Sequence, residues 1–576
     1  MFSSTKVLAR QLGVILDKRL TVATALDRVC DTHPDQFAFN LDQELPYREL
    51  SGPRITCRQL RSFANRVSNI LLDAGLKRYD RVAVCKTNGP DYFFLALAII
   101  RAGGISVPIN SGMDLESLQY YLNYTGAKFL ITDAALFASK IKDPARLPMV
   151  NRWIFPDPPA DFAAPHCDLN ALLETVSEDF APVKLSRDSD VVIAHTSGTT
   201  GYPKGVIATS GTLLRSARCQ YTLGPVTGKN RTAIAAPFNH LVTHTGMLSA
   251  MLAGLNVWPV ARTEPHAVME LIDRERITIF FAFPDVYSRM YLEGLDDYEF
   301  SSMRTWVGTA DTSHSIHKKA FTQKGAFLRL FGKTILKSIF VDAFGSSEIC
   351  FAALTRISFS FSKPRLDRLL GTTNPAGPRV RIADEDGRTV PRGRIGRVMV
   401  KGPTLFKSYW NSHDRLHGTM YDGWWWTGDI GYRDRVGRFY HLDRATDVIQ
   451  TTQGPVYSLL AEEVLMNHPE VSEVSVFGVP SADGKQAAIA VVNARTGCAP
   501  NPLSLRLWTN ERLKLSAAIT EVFVVQPDEV PRGLTGKVLK RVLRTQYATQ
   551  VAQRSTNAES VPATSTATGC VAIAIG

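Results

Sequence analysis

A chain of 576 residues exceeds what one hydrophobic core supports, which excludes a single small domain. Hydrophobic residues make up 45% and aromatic residues 9%, enough for several cores and too much for a mainly disordered chain. The net charge of +12 is spread along the sequence; with no zinc-finger spacing, RNP-like aromatic motif or long basic run, it fits anionic metabolites and argues against nucleic acid.

The N-terminus, MFSSTKVLARQLGVILDKRL, is rich in Ser, Arg and Lys, with its first acid at Asp17. It reads as an amphipathic helix; a mitochondrial leader is the alternative, and a cytoplasmic protein is the expectation. CRQLRSFANRVSNILLDAG, Cys57 to Gly75, spaces apolar residues as a helix and stops at glycine. RVAVCK reads as a buried strand, YFFLALAIIRAGG as a helix ending in glycines, then ISVPI and KFLITD as strands. This alternation predicts an α/β fold with a largely parallel sheet. The longest apolar run, Phe93 to Ile100, is too short to span a bilayer, so no transmembrane segment is expected. The eight cysteines are scattered without a C-x-x-C, so neither a disulfide framework nor a zinc site is expected, and a reducing compartment is the default.

FPDPPADFAAPH is a loop, and VVIAHT, Val191 to Thr196, is a strand. After Gly371 the stretches VRIADEDG, GRIGRVMVKG and GRFYHLDR read as short antiparallel strands with Asp-Gly turns. A last α/β unit covers about Asp443 to Arg544, and the Ala/Ser/Thr-rich tail beyond it is expected to be disordered.

The stretch HTSGTTGYPKG, His195 to Gly205, follows the strand directly. Its glycines let backbone N–H groups approach an anion, its hydroxyls donate to phosphate oxygens, and Lys204 adds a charge. It is not a Walker A loop: Lys204 follows Pro203 and is itself followed by Gly205. PFNH (Pro237 to His240), AFGSSE (Ala343 to Glu348), WTGD (Trp426 to Asp429), DRATDVI (Asp443 to Ile449) and PRGLTGK (Pro531 to Lys537) come after it in that order. In this series the chain resembles the adenylate-forming superfamily, which includes acyl-CoA synthetases, over about Thr21 to Arg544.

That resemblance implies a large N-terminal domain of α/β subdomains plus a β-rich subdomain, residues 1–442. A small mobile C-terminal α+β domain, 443–548, and a tail, 549–576, would follow. It implies ATP, Mg2+ and CoA as cofactors. Thr196, Ser197, Gly198, Thr199, Thr200, Gly201 and Lys204 would embrace the ATP phosphates. In FGSSE, Phe344 would stack on adenine beside Gly345, Ser347 would meet phosphate and Glu348 would hold magnesium. Asp429 would grip the ribose with Arg444 beside it, and Lys537 would reach the reacting phosphate. His240, Gly308, Thr309 and Ala310 would line the acid pocket, with the small residues leaving room for an acyl chain or an aromatic ring. Taken singly, Glu348 is a solvated carboxylate, Lys537 a surface lysine and His240 a core histidine satisfied by backbone.

Two departures stand out. The stretch after the hinge, QTTQGPVYSLLAEEVL, keeps Gly454 but carries Ser458 and Leu460 where the family has a proline and a glutamate. This weakens the thioester step relative to adenylation. Amino-acid-activating relatives carry F-D-x-S, whereas this chain has Phe238-Asn239-His240, which argues against an α-amino acid substrate. The expected activity is that of an acid–thiol ligase for a fatty or aryl acid. The alternatives are loading of a phosphopantetheine carrier protein and a non-catalytic acyl or nucleotide binder.

Overall fold

The computed structural model describes residues 2–32, 38–196, 203–221, 230–309, 313–363, 365–481, 483–532 and 538–548. Ser197, Gly198, Thr199, Thr200, Gly201, Ala310 and Lys537 lie outside them, as does the tail 549–576. The chain falls into two compact units, Met1–His441 and Leu442–Gly576.

The first unit holds two large sheets. In one, the strands Arg81–Val84, Ile105–Pro108, Phe129–Ile131 and Arg152–Phe155 run parallel, and Asp190–Thr196 joins beside Ile105–Pro108. Val82, Ala83 and Val84 are fully buried, as expected for a parallel strand covered on both faces. The helix Cys57–Asp73 starts on a capping box between Thr56 and Gln59, and every residue of the helix Asp91–Arg101 is buried. Asp190–Thr196 turns back antiparallel into Lys204–Thr209, which pairs in turn with the short strand Ser408–Tyr409.

The second sheet has a parallel half, Val257–Pro259, Thr232–Ala235, Ile279–Ala282, Thr305–Thr309 and Ile339–Gly345. It continues antiparallel through Ala352–Ser358 and Leu369–Thr373, and Arg379–Ala383, Ile395–Lys401 and Trp424–Arg433 complete the β-rich region. The antiparallel reading of the segment after Gly371 therefore holds. The FGSSE stretch sits where parallel pairing gives way to antiparallel, at the carboxyl end of Ile339–Gly345, the usual place for a ligand site in an open α/β sheet.

The second unit packs the helices Ser458–Met466 and Pro502–Arg512 on a three-stranded sheet, Val471–Pro480, Gln486–Ala494 and Glu521–Val525. Ala461, Leu465, Val476, Ala490, Val492 and Leu505 form its core.

One cysteine expectation is corrected. Cys30 and Cys57 form a disulfide, Cα atoms 5.7 Å apart, joining the helix Ala25–Thr32 to the start of Cys57–Asp73. A spacing of 27 residues with no metal-type motif carries no sequence signal for it.

Candidate active site

Three clusters in the first unit gather the sequence-marked residues. The first joins Lys204, Tyr409 and Glu348. The Tyr409 hydroxyl donates to Glu348 Oε1 at 3.0 Å, and Lys204 Nζ lies over the Tyr409 ring, 5.7 Å from its centroid. The backbone fixes this meeting: Tyr409 is paired with Val206 across the hairpin edge, and Phe406 N–H donates to Glu348 O at 2.7 Å. Gly205 has no room for a side chain, because a Cβ there would stand 2.8 Å from Ile193 and 3.1 Å from Trp410. At Gly345 a Cβ would lie 2.4 Å from Phe351 O, so this glycine lets the FGSSE turn fold back on itself. Tyr409 went unmarked in the sequence.

The second cluster joins Phe344, His441 and Asp429. The rings of Phe344 and His441 are 5.7 Å apart, and His441 Nε2 lies 3.2 Å from Asp429 Oδ1. Asp429 and His441 are buried, while Phe344 and Ser347 are half-buried. Asp429 N–H donates to Thr427 Oγ1, which fixes the WTGD turn. The cluster is a ring, an imidazole and a carboxylate in a row, suited to one face of a nucleoside.

The third cluster surrounds His195, next to Thr196. Its Nε2 accepts from Asn110 N–H and from Asn239 Nδ2, both at 3.1 Å, which puts the ring proton on Nδ1. His240 caps the helix Leu241–Ala253 and meets Phe283 edge to face at 5.2 Å. It is half-buried. His244 Nε2 bonds Phe238 O at 2.7 Å. Burial holds His195 down to about 3, with neighbouring His240 adding to the effect, and holds His240 and His244 to about 4. All three are neutral at physiological pH. Asn239, standing where the amino-acid-activating pattern has an aspartate, spends its amide on His195.

At Gly308 a Cβ would meet Ser313 Oγ at 2.8 Å and the Phe340 ring at 3.1 Å, so a side chain does not fit there. Thr309 Oγ1 donates to Ala343 O at 3.1 Å and is buried. These two residues lock adjacent strands together.

Arg444 and Gly454 belong to the second unit. Arg444 is exposed at the end of the strand Phe439–Arg444, and Gly454, at φ 117°, opens the strand Gly454–Val456. Ser458, a departure from the family pattern, has a visible role: its N–H and hydroxyl both donate to the buried Asp443, and Lys540 Nζ lies 3.1 Å from its oxygen. A proline has no N–H to donate there. Lys540 also pairs with Glu462 at 2.8 Å.

Among the described residues no group of three or more His, Cys, Asp or Glu side chains is placed to hold a metal. Glu348, with Tyr409 donating to it, is the carboxylate that would hold Mg2+, a cation commonly bound by one or two carboxylates together with substrate phosphates.

Residues 26–410 match the AMP-binding enzyme family, and residues 461–537 match the AMP-binding enzyme C-terminal domain. The chain belongs to the AMP-binding enzymes. As such it is an AMP-forming acid–thiol ligase that uses ATP, Mg2+ and CoA. Among curated relatives it is 28% identical to a 3-aminoavenalumate diazotase of a Streptomyces species, over 83% of this chain and 86% of that protein. It is 27% identical to a feruloyl-CoA synthase of an Amycolatopsis species, over 86% of this chain and 94% of that one. Its fold matches that of the anthranilate CoA ligase AuaEII in complex with anthranoyl-AMP, with a TM-score of 0.80 and 20% identity, over 93% of this chain and 99% of that one. Among the described residues of this AMP-binding enzyme, no helix is long and apolar enough to cross a membrane.

Proposed function

We propose that this AMP-binding enzyme activates a hydrophobic carboxylic acid without a second charge, an aryl acid fitting best, and passes the acyl group to CoA. A carboxylate oxygen of the acid attacks the α-phosphorus of ATP and pyrophosphate leaves. The CoA thiol, losing its proton, then attacks the acyl carbon and AMP leaves. Two anions meet in the first step, so its barrier falls through positioning and charge neutralisation.

Lys204 and the Ser/Thr-Gly loop beside it hold the phosphates in this reading. Glu348, kept in one orientation by Tyr409, holds Mg2+, which neutralises phosphate charge. Phe344 stacks on the base, and Asp429, with His441 Nε2 3.2 Å away, accepts from the ribose hydroxyls. Arg444 is assigned to the nucleotide and Lys537 to the reacting phosphate, as the family resemblance implies. The joining of Lys204, Tyr409 and Glu348 carries the proposal, since one tyrosine ring meets both the lysine and the carboxylate that the reaction needs.

The acid side is neutral and aromatic. His240 and Phe283 meet edge to face, and none of the three histidines there is charged at physiological pH. Such a wall suits an aromatic acyl group and penalises a second ionised group. The feruloyl-CoA synthase relative supports the aryl preference. Loading of a carrier protein is the second reading, supported by the departures from the family pattern at Ser458 and Leu460. ATP–pyrophosphate exchange with a panel of aryl and fatty acids tests the adenylation step. Mass spectrometry of acyl-CoA against acyl-carrier products separates the acceptors.

A further inference from the structure

The strands Ala326–Leu330 and Lys333–Lys337 form a two-stranded ribbon that pairs with no other strand among those described. Leu330 lies opposite Lys333, so the turn is the pair Phe331-Gly332, with φ of 49° and 77°. Two consecutive positive φ values make a turn that normally takes Asn-Gly or Asp-Gly. Phe331 instead holds a bulky ring in the left-handed region and is fully exposed. Nothing in the fold repays that choice, and such outliers collect at functional sites.

The ring is not alone. Leu328 is 41%, Leu330 49% and Ile335 58% exposed. At the ribbon base, Lys337 Nζ donates to Gln323 Oε1 at 2.7 Å, and Gln323 Nε2 donates to Ser360 O at 3.0 Å. That contact brings in a second exposed aromatic, Phe361, stacked on Phe359 at 5.2 Å and 74% exposed. From Lys324 to Val341 the sequence has no Asp or Glu, while it carries Arg329, Lys333 and Lys337 along the ribbon. Lys333 makes no ion pair among the described residues. Arg329 donates to Ser301 O and faces Glu299 near the base, and Lys324 pairs with Asp296 below the ribbon.

We propose that the ribbon Ala326–Lys337 is a membrane-surface anchor that docks on anionic phospholipid headgroups. Phe331 and the leucines enter the boundary between headgroups and acyl chains, and Lys333, Lys337 and Arg329 meet lipid phosphates. The pattern favours lipid over a protein groove: apolar side chains at a projecting tip, with Lys333 beside them and no acid within the ribbon itself, complement a negatively charged fluid surface. The proposal stands on the ribbon alone and does not depend on which acid is activated.

Co-sedimentation of the full chain with phosphatidylcholine vesicles, with and without phosphatidylglycerol, tests it. Binding is expected only to the anionic vesicles, weakening as salt is raised. Phe331→Asn places a residue at home in the left-handed region, so the fold and the ATP–pyrophosphate exchange in solution are kept while vesicle binding drops about tenfold or more. Lys333→Ala is expected to weaken binding about fivefold. Absence of binding to anionic vesicles would overturn the proposal, as would equal binding by Phe331→Asn. So would a tip variant that only converts a dimer of the wild type into a monomer, since the ribbon would then serve self-association.

Discussion

The hydroxyl of Tyr409 donates to Glu348 Oε1 at 3.0 Å, across a contact between residues 61 positions apart in sequence. The same ring carries Lys204 Nζ above it. Tyr409 therefore couples the lysine of the phosphate loop to the carboxylate assigned to magnesium. Tyr409→Phe keeps the ring and removes the bond, so the ATP KM is expected to change little while kcat falls about tenfold, a hydrogen bond to a charged group being worth about 1.5–3 kcal/mol. Glu348→Gln is expected to cost on the order of a hundredfold in kcat and to raise the magnesium needed for half-maximal rate. ATP–pyrophosphate exchange across a magnesium titration reads both.

Asp429 is buried with His441 Nε2 at 3.2 Å. Asp429→Asn keeps the shape and removes the charge that the proposed function assigns to the ribose hydroxyls. The expected result is an ATP KM raised about tenfold, with the CoA KM unchanged and the melting temperature close to wild type. Steady-state kinetics with ATP and CoA varied separately checks this.

The histidine cluster makes stability depend on pH. An unfolded histidine titrates near 6.5, whereas His195 is held down to about 3 and His240 and His244 to about 4. Between those limits the unfolded chain binds more protons than the folded one. Stability from these rings is thus fully present above pH 6.5 and is lost as pH falls toward 4. His244, which is buried, contributes up to about 3 kcal/mol of this slope. Unfolding by urea at several pH values between 7 and 4.5 is expected to show a declining free energy, and His244→Phe a flatter decline. An unchanged slope in that variant would remove His244 from the account.

The strands and the chemistry-bearing turns were legible in the sequence because both signals are local. VVIAHT and SIFV are short apolar runs, and the turns that follow them are dense in glycine and hydroxyls. What joins these turns was not legible. Tyr409 sits on a two-residue strand with no periodicity, and only its pairing with Val206 brings it to Glu348. His195 was visible as a residue, but its role depends on Asn110 and Asn239, from two other segments. The small size of Gly308 was visible in the sequence, but not that Ser313 and Phe340 stand where its side chain would be. Phe331-Gly332 is a hairpin turn without the usual Asn or Asp, so turn chemistry gave no warning of the ribbon.

The central claim is that a carboxylic acid is joined to AMP in this site and then handed to a thiol. Incubating the purified protein and its Lys537→Ala variant with ATP, Mg2+, CoA and single aryl or fatty acids, with mass spectrometry of AMP and acyl-CoA, tests it most directly. The account expects AMP and acyl-CoA in equal amounts from an uncharged-tail acid, and a loss of on the order of a hundredfold or more in the variant. ATP binding without AMP release or pyrophosphate exchange for every acid, or unchanged exchange in Lys537→Ala, would contradict it.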